Sequence, residues 1–257
     1  MIAQRLNLSR VRNKYRQILG DYIWRRPFVM RADVPHISFT FDDFPRSAYL
    51  TGGRLLEKYG AQGTFYVSIG LLGTETVCGR IALTEDLRAL LQEGHELGCH
   101  TFDHLDGWIS STKAFEKSVI ENSRAFKEIV PSGNLEVFAY PIGTPRLKTK
   151  RVIGNKFLCC RGGGQAFNSG VIDLNLLKAY FLDWRTRSRL DMVKCLIDQN
   201  NTARGWLIFV THDVGPDPSR YGCKAELFEE IVRYAASSGA NIGPISRVAR
   251  TLGVVSG

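Results

Sequence analysis

With 257 residues, 44% of them hydrophobic, the chain can bury one large core and falls within the range of a single α/β domain. Its 34 basic against 25 acidic residues leave a formal charge of +9, yet no zinc-finger spacing, RNP-like strand or aromatic-basic stripe supports nucleic-acid recognition. No stretch of about 18 apolar residues exists, which excludes a membrane-spanning helix.

Residues 1–34 read as a basic helical lead, with Arg5, Arg10, Arg12, Lys14, Arg16, Arg25, Arg26 and Arg31 opposed only by Asp21 and Asp33. Such a lead packs on the outside of the domain as a solvated helix, or it touches an anionic lipid surface. Charges run through residues 1–20 and leave no apolar core of signal-peptide type. Residues 36–41 then form a strand that enters the pair Asp42-Asp43. Residues 48–59 are helical in period, 60–63 turn, and 64–69 form the next strand. Thr84 caps a helix that Gly94 stops, and 96–99 is a short strand delivering His100.

A long amphipathic helix over 112–129 is closed by Pro131. The strand 137–140 ends in Pro141-Ile142-Gly143, and 156–160 ends in Arg161 and three glycines. The second half of 176–182 is a strand, 187–199 a helix, and 206–210 a strong strand that stops at Thr211-His212-Asp213. Helices over 224–236 and 245–252 follow.

Strands alternating with helices, without repeats or a low-complexity linker, predict one domain over 1–257 built from βα units. Polar residues recur at the C-terminal ends of strands, where (β/α) barrels place their chemistry. About seven strands, not eight, make the expected barrel distorted or open. The six cysteines (78, 99, 159, 160, 195 and 223) read as free buried thiols and, with the lack of an export signal, favour the cytoplasm.

Asp42 and Asp43 are consecutive at a strand end, so their side chains point in different directions and one can hold a cation while the other serves elsewhere. Alone, the pair is as readily an exposed turn. His100 and His104 are four apart; within one helical turn both imidazoles would reach a single metal, although an isolated HxxxH also arises by chance. Both features in one βα framework, with His212 ending a later strand, point to a metal-assisted hydrolase. Two imidazoles and a carboxylate suit zinc, and cobalt, nickel or manganese also fit.

The pattern resembles the polysaccharide deacetylases of the NodB-homology group over residues 34–250. Their Thr-Phe-Asp-Asp-Gly motif is matched by Thr40-Phe41-Asp42-Asp43 with Phe44 in place of glycine. Their His-Ser/Thr-x-x-His motif is matched by His100-Thr101-Phe102-Asp103-His104, and their late histidine motif by Val210-Thr211-His212. The resemblance implies a distorted, seven-stranded (β/α) barrel that removes N-acetyl groups from an amino sugar or N-acetylated glycan. It implies Asp43, His100 and His104 as ligands of a divalent metal, Asp42 as the base for a metal-activated water, and His212 as the acid for the departing amine. Amides are poor electrophiles and amines poor leaving groups, so these are the roles the hydrolysis needs.

Further implied roles rest on looser matches. The Ile142 N–H would serve as oxyanion donor. Leu182-Asp183-Trp184 would supply Asp183 to orient His212, with Asp213 a rival, and Trp184 as a pocket wall. Phe138-Ala139-Tyr140-Pro141 carries Ala139 where the family has an arginine beside its catalytic aspartate; Arg161, then Arg185, are the replacements to consider. Phe44 is expected to narrow the space beside the metal. Tyr140, Tyr221, Trp206 and Trp108 are candidates for a sugar groove, and His36 and His95 are expected to be structural. Two alternatives remain: a metal-dependent hydrolase of a non-sugar amide, and a glycan- or partner-binding barrel without turnover, which Ala139 and Phe44 motivate.

Overall fold

The computed structural model describes Tyr15, residues 18–143 and residues 145–255. Most of the basic lead (Arg5, Arg10, Arg12, Lys14 and Arg16) therefore lies outside the described residues. Seven strands make up the main sheet: β1 (His36–Phe41), β2 (Thr64–Val67), β3 (Glu96–Cys99), β4 (Val137–Ala139), β5 (Cys159–Arg161), β6 (Tyr180–Phe181) and β7 (Trp206–Thr211). They pair in parallel in the order β6-β7-β1-β2-β3-β4-β5 and curl into a half-barrel. β1 and β7 are buried at every residue, as central strands of a parallel sheet covered on both faces must be. Where β2 has not yet begun, Asn241–Ile242 fills the edge of β1 opposite His36 and Ile37.

The sheet stays open between β5 and β6. The segment leading into β6 bridges the gap through a parallel pairing of Leu177 with Arg161 and hydrogen bonds from Cys160 N to Leu174 O and from Gln165 N to Ala179 O. This is the distortion that a seven-stranded count predicts.

Strand alternation divides the core in two. Phe39, Phe41, Phe65, Leu97, Phe138, Cys160 and Phe209 face outward, against Phe115 and Val119 of the helix Thr112–Ile129 and Phe228 and Ile231 of the helix Ala225–Ser237. Tyr66, Val137, Ala139, Cys159, Ile208 and Val210 face the barrel interior, where Ile245 and Val248 of the helix Ile245–Thr251 join them. The period of two then assigns Asp42, His100, Arg161 and His212 to the interior, at its C-terminal mouth.

Several boundaries differ from the sequence expectation for local reasons. The helix expected over 48–59 starts as a π-helix, Ala48–Gly53, before Arg54–Lys58. Gly52 lies there against Phe41, and a Cβ would meet that ring at 2.8 Å. Thr84 is the first helical residue of Thr84–Gln92 instead of its cap; Asp86 takes that role, its carboxylate accepting from Leu83 N at 2.8 Å. The helix expected from 187 begins at Leu190, because Thr186 N and Arg189 N close successive turns onto Asp183 O and Thr186 O.

The N-terminal side is pinned by one buried cation. Lys150 Nζ donates to Gly20 O at 2.5 Å, to Ile23 O at 3.0 Å and to the Asp173 carboxylate at 2.6 Å. Asp173 ends a strand, Val171–Asp173, that pairs antiparallel with Pro27–Val29. Replacing Lys150 with alanine leaves that buried carboxylate without its cation, so Lys150→Ala should lower unfolding stability by roughly 3–5 kcal/mol in a urea titration.

Candidate active site

Three loops meet at the barrel mouth. Among the described residues, eight non-glycine positions have positive φ, and five of them lie here: Asp43, Phe44, Thr101, His104 and Ile142. Each left-handed residue costs on the order of 1–3 kcal/mol, and that strain turns the chain back over the interior. Asp43 (φ 63°) thereby returns above Asp42 instead of pointing away from it. The HxxxH segment is not the helical turn considered from sequence. It is a loop with Thr101 and His104 at φ 65° and 54°. Ser68 Oγ donates to His100 O, Gly70 N to Phe102 O, Ser118 Oγ to the Asp103 carboxylate, and Leu105 N to Thr101 Oγ1, and these bonds hold it in place.

The result brings one carboxylate and two imidazoles together. His100 Nε2 is 3.6 Å and His104 Nε2 3.3 Å from Asp43 Oδ1, and the three ligand atoms lie within 4.8 Å of one another. His212 Nε2 stands 3.9 Å from Asp43 Oδ2. Asp43 Oδ1 is buried and accepts no hydrogen bond from the described residues, a costly arrangement for a carboxylate unless a cation completes it. His100 Nδ1 lies 2.9 Å from Ala139 O, which fixes the proton there and leaves the Nε2 lone pair for a ligand. Burial pushes the His100 imidazole down to about 4 despite the nearby Asp42 charge, so it is neutral at pH 7. The donor set and the orphaned oxygen fit a divalent cation of the zinc class.

Asp42 sits below this cluster, 6% exposed, and contacts Arg161 through Oδ1 and Nη2. Burial alone would push its carboxyl up. The Arg161 guanidinium, followed by the His100 and His212 imidazoles, outweighs burial and holds it below the usual carboxylate range. Arg161 is directly opposite Ala139 in the β4–β5 register, so the cation missing from β4 arrives from the next strand at the same height. Arg185, the other replacement considered, is committed elsewhere. The Tyr66 ring lies 5.0 Å from the Arg161 guanidinium, a support that sequence inspection missed; the inward position within 64–67 was its only signal.

Other expected residues are placed differently. The Asp183 carboxylate accepts from Arg185 N, Nε and Nη2, and Asp213 accepts from Ser219 N and Oγ. His212 Nδ1 has no hydrogen-bond partner among the described residues, so neither acid orients it in this structure. Phe44 does not narrow the pocket: it is fully buried and packs on Phe65, with ring centroids 5.0 Å apart. Ile142 (φ 59°) occupies the turn after β4 with its side chain 70% exposed, and its amide bonds to no described residue. Tyr140 and Trp206 are core, whereas Tyr221 lies beside His212 with ring centroids 5.5 Å apart.

A second acidic group, Glu57, Glu93 and His95, also clusters within 4.8 Å. Gly63 N donates to His95 Nδ1 at 2.9 Å, so Nε2 carries the proton and faces Glu57 Oε1 at 3.4 Å. That tautomer has no lone pair to offer a metal, and Arg54 already bonds both acids. His95 is structural, as expected.

Residues 30–156 match the family model described as polysaccharide deacetylase. Over that stretch, 127 of the 257 residues, the chain is similar to the polysaccharide deacetylase family. A peptidoglycan-N-acetylglucosamine deacetylase of Bacillus cereus is 33% identical over 96 residues, which is 37% of this chain and 41% of that protein. The match thus spans less than half of that curated relative. Among solved structures, the Xyl-CE4 domain of a multidomain xylanase from the hindgut metagenome of Trinervitermes trinervoides superposes with a TM-score of 0.59 at 17% identity, covering 87% of this chain and 94% of that one. A CE4 family pseudoenzyme from Bacillus anthracis superposes with a TM-score of 0.56 at 11% identity, covering 85% and 66%. At such identities the superpositions establish the fold alone. No described helix is long and apolar enough to cross a membrane.

The buried histidine gives a pH signature to the metal-free protein. His100 titrates at 6.5 when unfolded and at about 4 when folded, so the unfolded chain binds the extra proton between these values. Stability should be fully present above about 6.5 and fall as pH drops toward 4; urea midpoints measured across that range in chelator check it.

Proposed function

We propose that this protein is a metal-dependent N-deacetylase of an amino sugar or N-acetylated glycan. The observation that carries it is the buried, unpartnered Asp43 Oδ1 facing His100 and His104, directly beside an Asp42 held ionised by Arg161. Asp43, His100 and His104 would hold the cation, with zinc preferred for its fit to two imidazoles and a carboxylate. When bound, such a cation supplies a Lewis acid to the acetyl carbonyl and lowers the pKa of water.

The remaining work falls to this chain's own groups. Asp42 takes the proton of the attacking water, and its depressed pKa keeps it ready to accept across the neutral range. The Ile142 amide, exposed in a left-handed turn, is free to donate to the developing oxyanion. His212, across Asp43 from the two histidines, delivers a proton to the amine nitrogen as the C–N bond breaks.

The unpartnered His212 Nδ1 favours one alternative, a barrel that binds acetylated glycan without turnover. Acetate release from N-acetylglucosamine oligomers by zinc-loaded protein separates the two. Chelation should abolish release and zinc restore it; zinc-loaded protein silent on oligomeric, lipid-linked and nucleotide-linked amino sugars would sink the deacetylase assignment.

Single substitutions sharpen the roles. Asp42→Asn should lower kcat by about 10²–10⁴-fold with zinc content unchanged, measured by acetate release and elemental analysis. Asp43→Asn should lose the zinc itself. Arg161→Ala should lower kcat/KM and move the acidic limb of the pH profile upward, because Asp42 then keeps burial without its cation. Since Ala139 and Arg161 are registered neighbours, the double variant Ala139→Arg/Arg161→Ala should recover part of that loss.

A further inference from the structure

A cavity of about 540 Å³ is lined by Tyr180, Trp184, Arg185, Arg187, Arg189 and Met192, among others. It lies at the C-terminal end of β6, and Leu182 N bonds Val210 O, two residues before His212. A chain of side chains connects the two places. The Tyr221 ring is next to His212, and the Arg220 guanidinium lies 5.3 Å from that ring and 5.9 Å from the ring of Trp184.

The charges in this cavity are unevenly answered. Asp183 neutralises Arg185. Among the described residues, the Arg187 guanidinium donates to the neutral carbonyls of Pro218 and Ser219, and the Arg189 guanidinium reaches the Met192 sulfur at 4.0 Å. Neither Arg187, Arg189 nor Arg220 has a carboxylate partner among the described residues. Trp184, 52% exposed, offers an indole face at the same wall. An exposed aromatic face beside unpaired guanidiniums suits a sugar ring carrying a strong oxyanion, because guanidinium forks match phosphate oxygens. A volume of this size takes a whole sugar phosphate, not a lone ion.

We propose that this cavity is an anion subsite for a phosphate or diphosphate ester borne by the acetylated amino sugar, which makes the substrate a phosphorylated one. The proposal rests on the deacetylase assignment, whose substrate class it narrows. Arg187 and Arg189 hold the phosphoryl oxygens, and Trp184 covers the sugar between them and His212.

Calorimetry on the full chain loaded with zinc tests this with three probes: N-acetylglucosamine, N-acetylglucosamine 1-phosphate and uridine-diphosphate N-acetylglucosamine. One or both phosphorylated probes should bind at least about tenfold tighter than the neutral sugar, and added salt should shrink the gap. The monoester and the diphosphate arms tell which ester is preferred. Arg187→Gln/Arg189→Gln should close the gap. Arg189→Glu, which disturbs no backbone contact, should reverse it, with melting temperature confirming the fold. Equal binding of all three probes, or a gap that survives in Arg189→Glu, overturns the subsite. Acetate release from neutral oligomers is read separately. Release without a phosphate preference overturns the subsite alone, and phosphate preference without release from any substrate overturns the deacetylase assignment alone.

Discussion

A carboxylate that must remain charged while buried is the constraint around which the barrel mouth is arranged. Asp42 is almost wholly buried, and desolvation there favours the neutral acid. Arg161 reverses that preference, and it is itself 2% exposed, so each charge depends on the other. Its neighbours complete the arrangement: Nη1 donates to Gly162 O, and the Tyr66 ring lies against the guanidinium. The cation reaches Asp42 from β5 because parallel strands in register present equivalent inward positions at equal height. An arginine can therefore move one strand sideways while the ion pair keeps its place.

Above that pair, strained loops do what strands cannot. A strand aims alternate residues at opposite faces, so Asp42 and Asp43 could not both overlook the pocket without a reversal of the backbone. The left-handed conformations of Asp43 and His104 provide it, and the core stabilises what they cost. Phe44, also left-handed, sinks into the aromatic cluster of Phe41 and Phe65. Its ring thus serves as an anchor for the turn that carries Asp43 and leaves the pocket open.

On the other side of the mouth the acids are engaged differently. Asp183 and Asp213 hold a salt bridge and a serine turn, and this leaves His212 oriented by position alone. The same use of Asp183 pairs Arg185 and leaves Arg187, Arg189 and Arg220 without a carboxylate partner among the described residues. One fold can support different substrates in this way, by reassigning a few carboxylates around a common set of strand ends.

The sequence by itself determined the strands 36–41 and 96–99, the helix 112–129 and the parallel barrel architecture, whereas the grouping of Asp43, His100 and His104 is implied only by the family resemblance. The strands, the helix and the architecture follow from local period and turn residues, which depend on near neighbours in the chain. It could not decide which arginine faces Asp42, since that depends on how β4 and β5 register. Nor could it place Asp183, Phe44 or Tyr66, whose partners are Arg185 in a turn, Phe65 on another strand and Arg161 nearly a hundred residues away. Only packing of the curled sheet assigns such contacts, because the inward or outward side of each residue has meaning only once the barrel has curled.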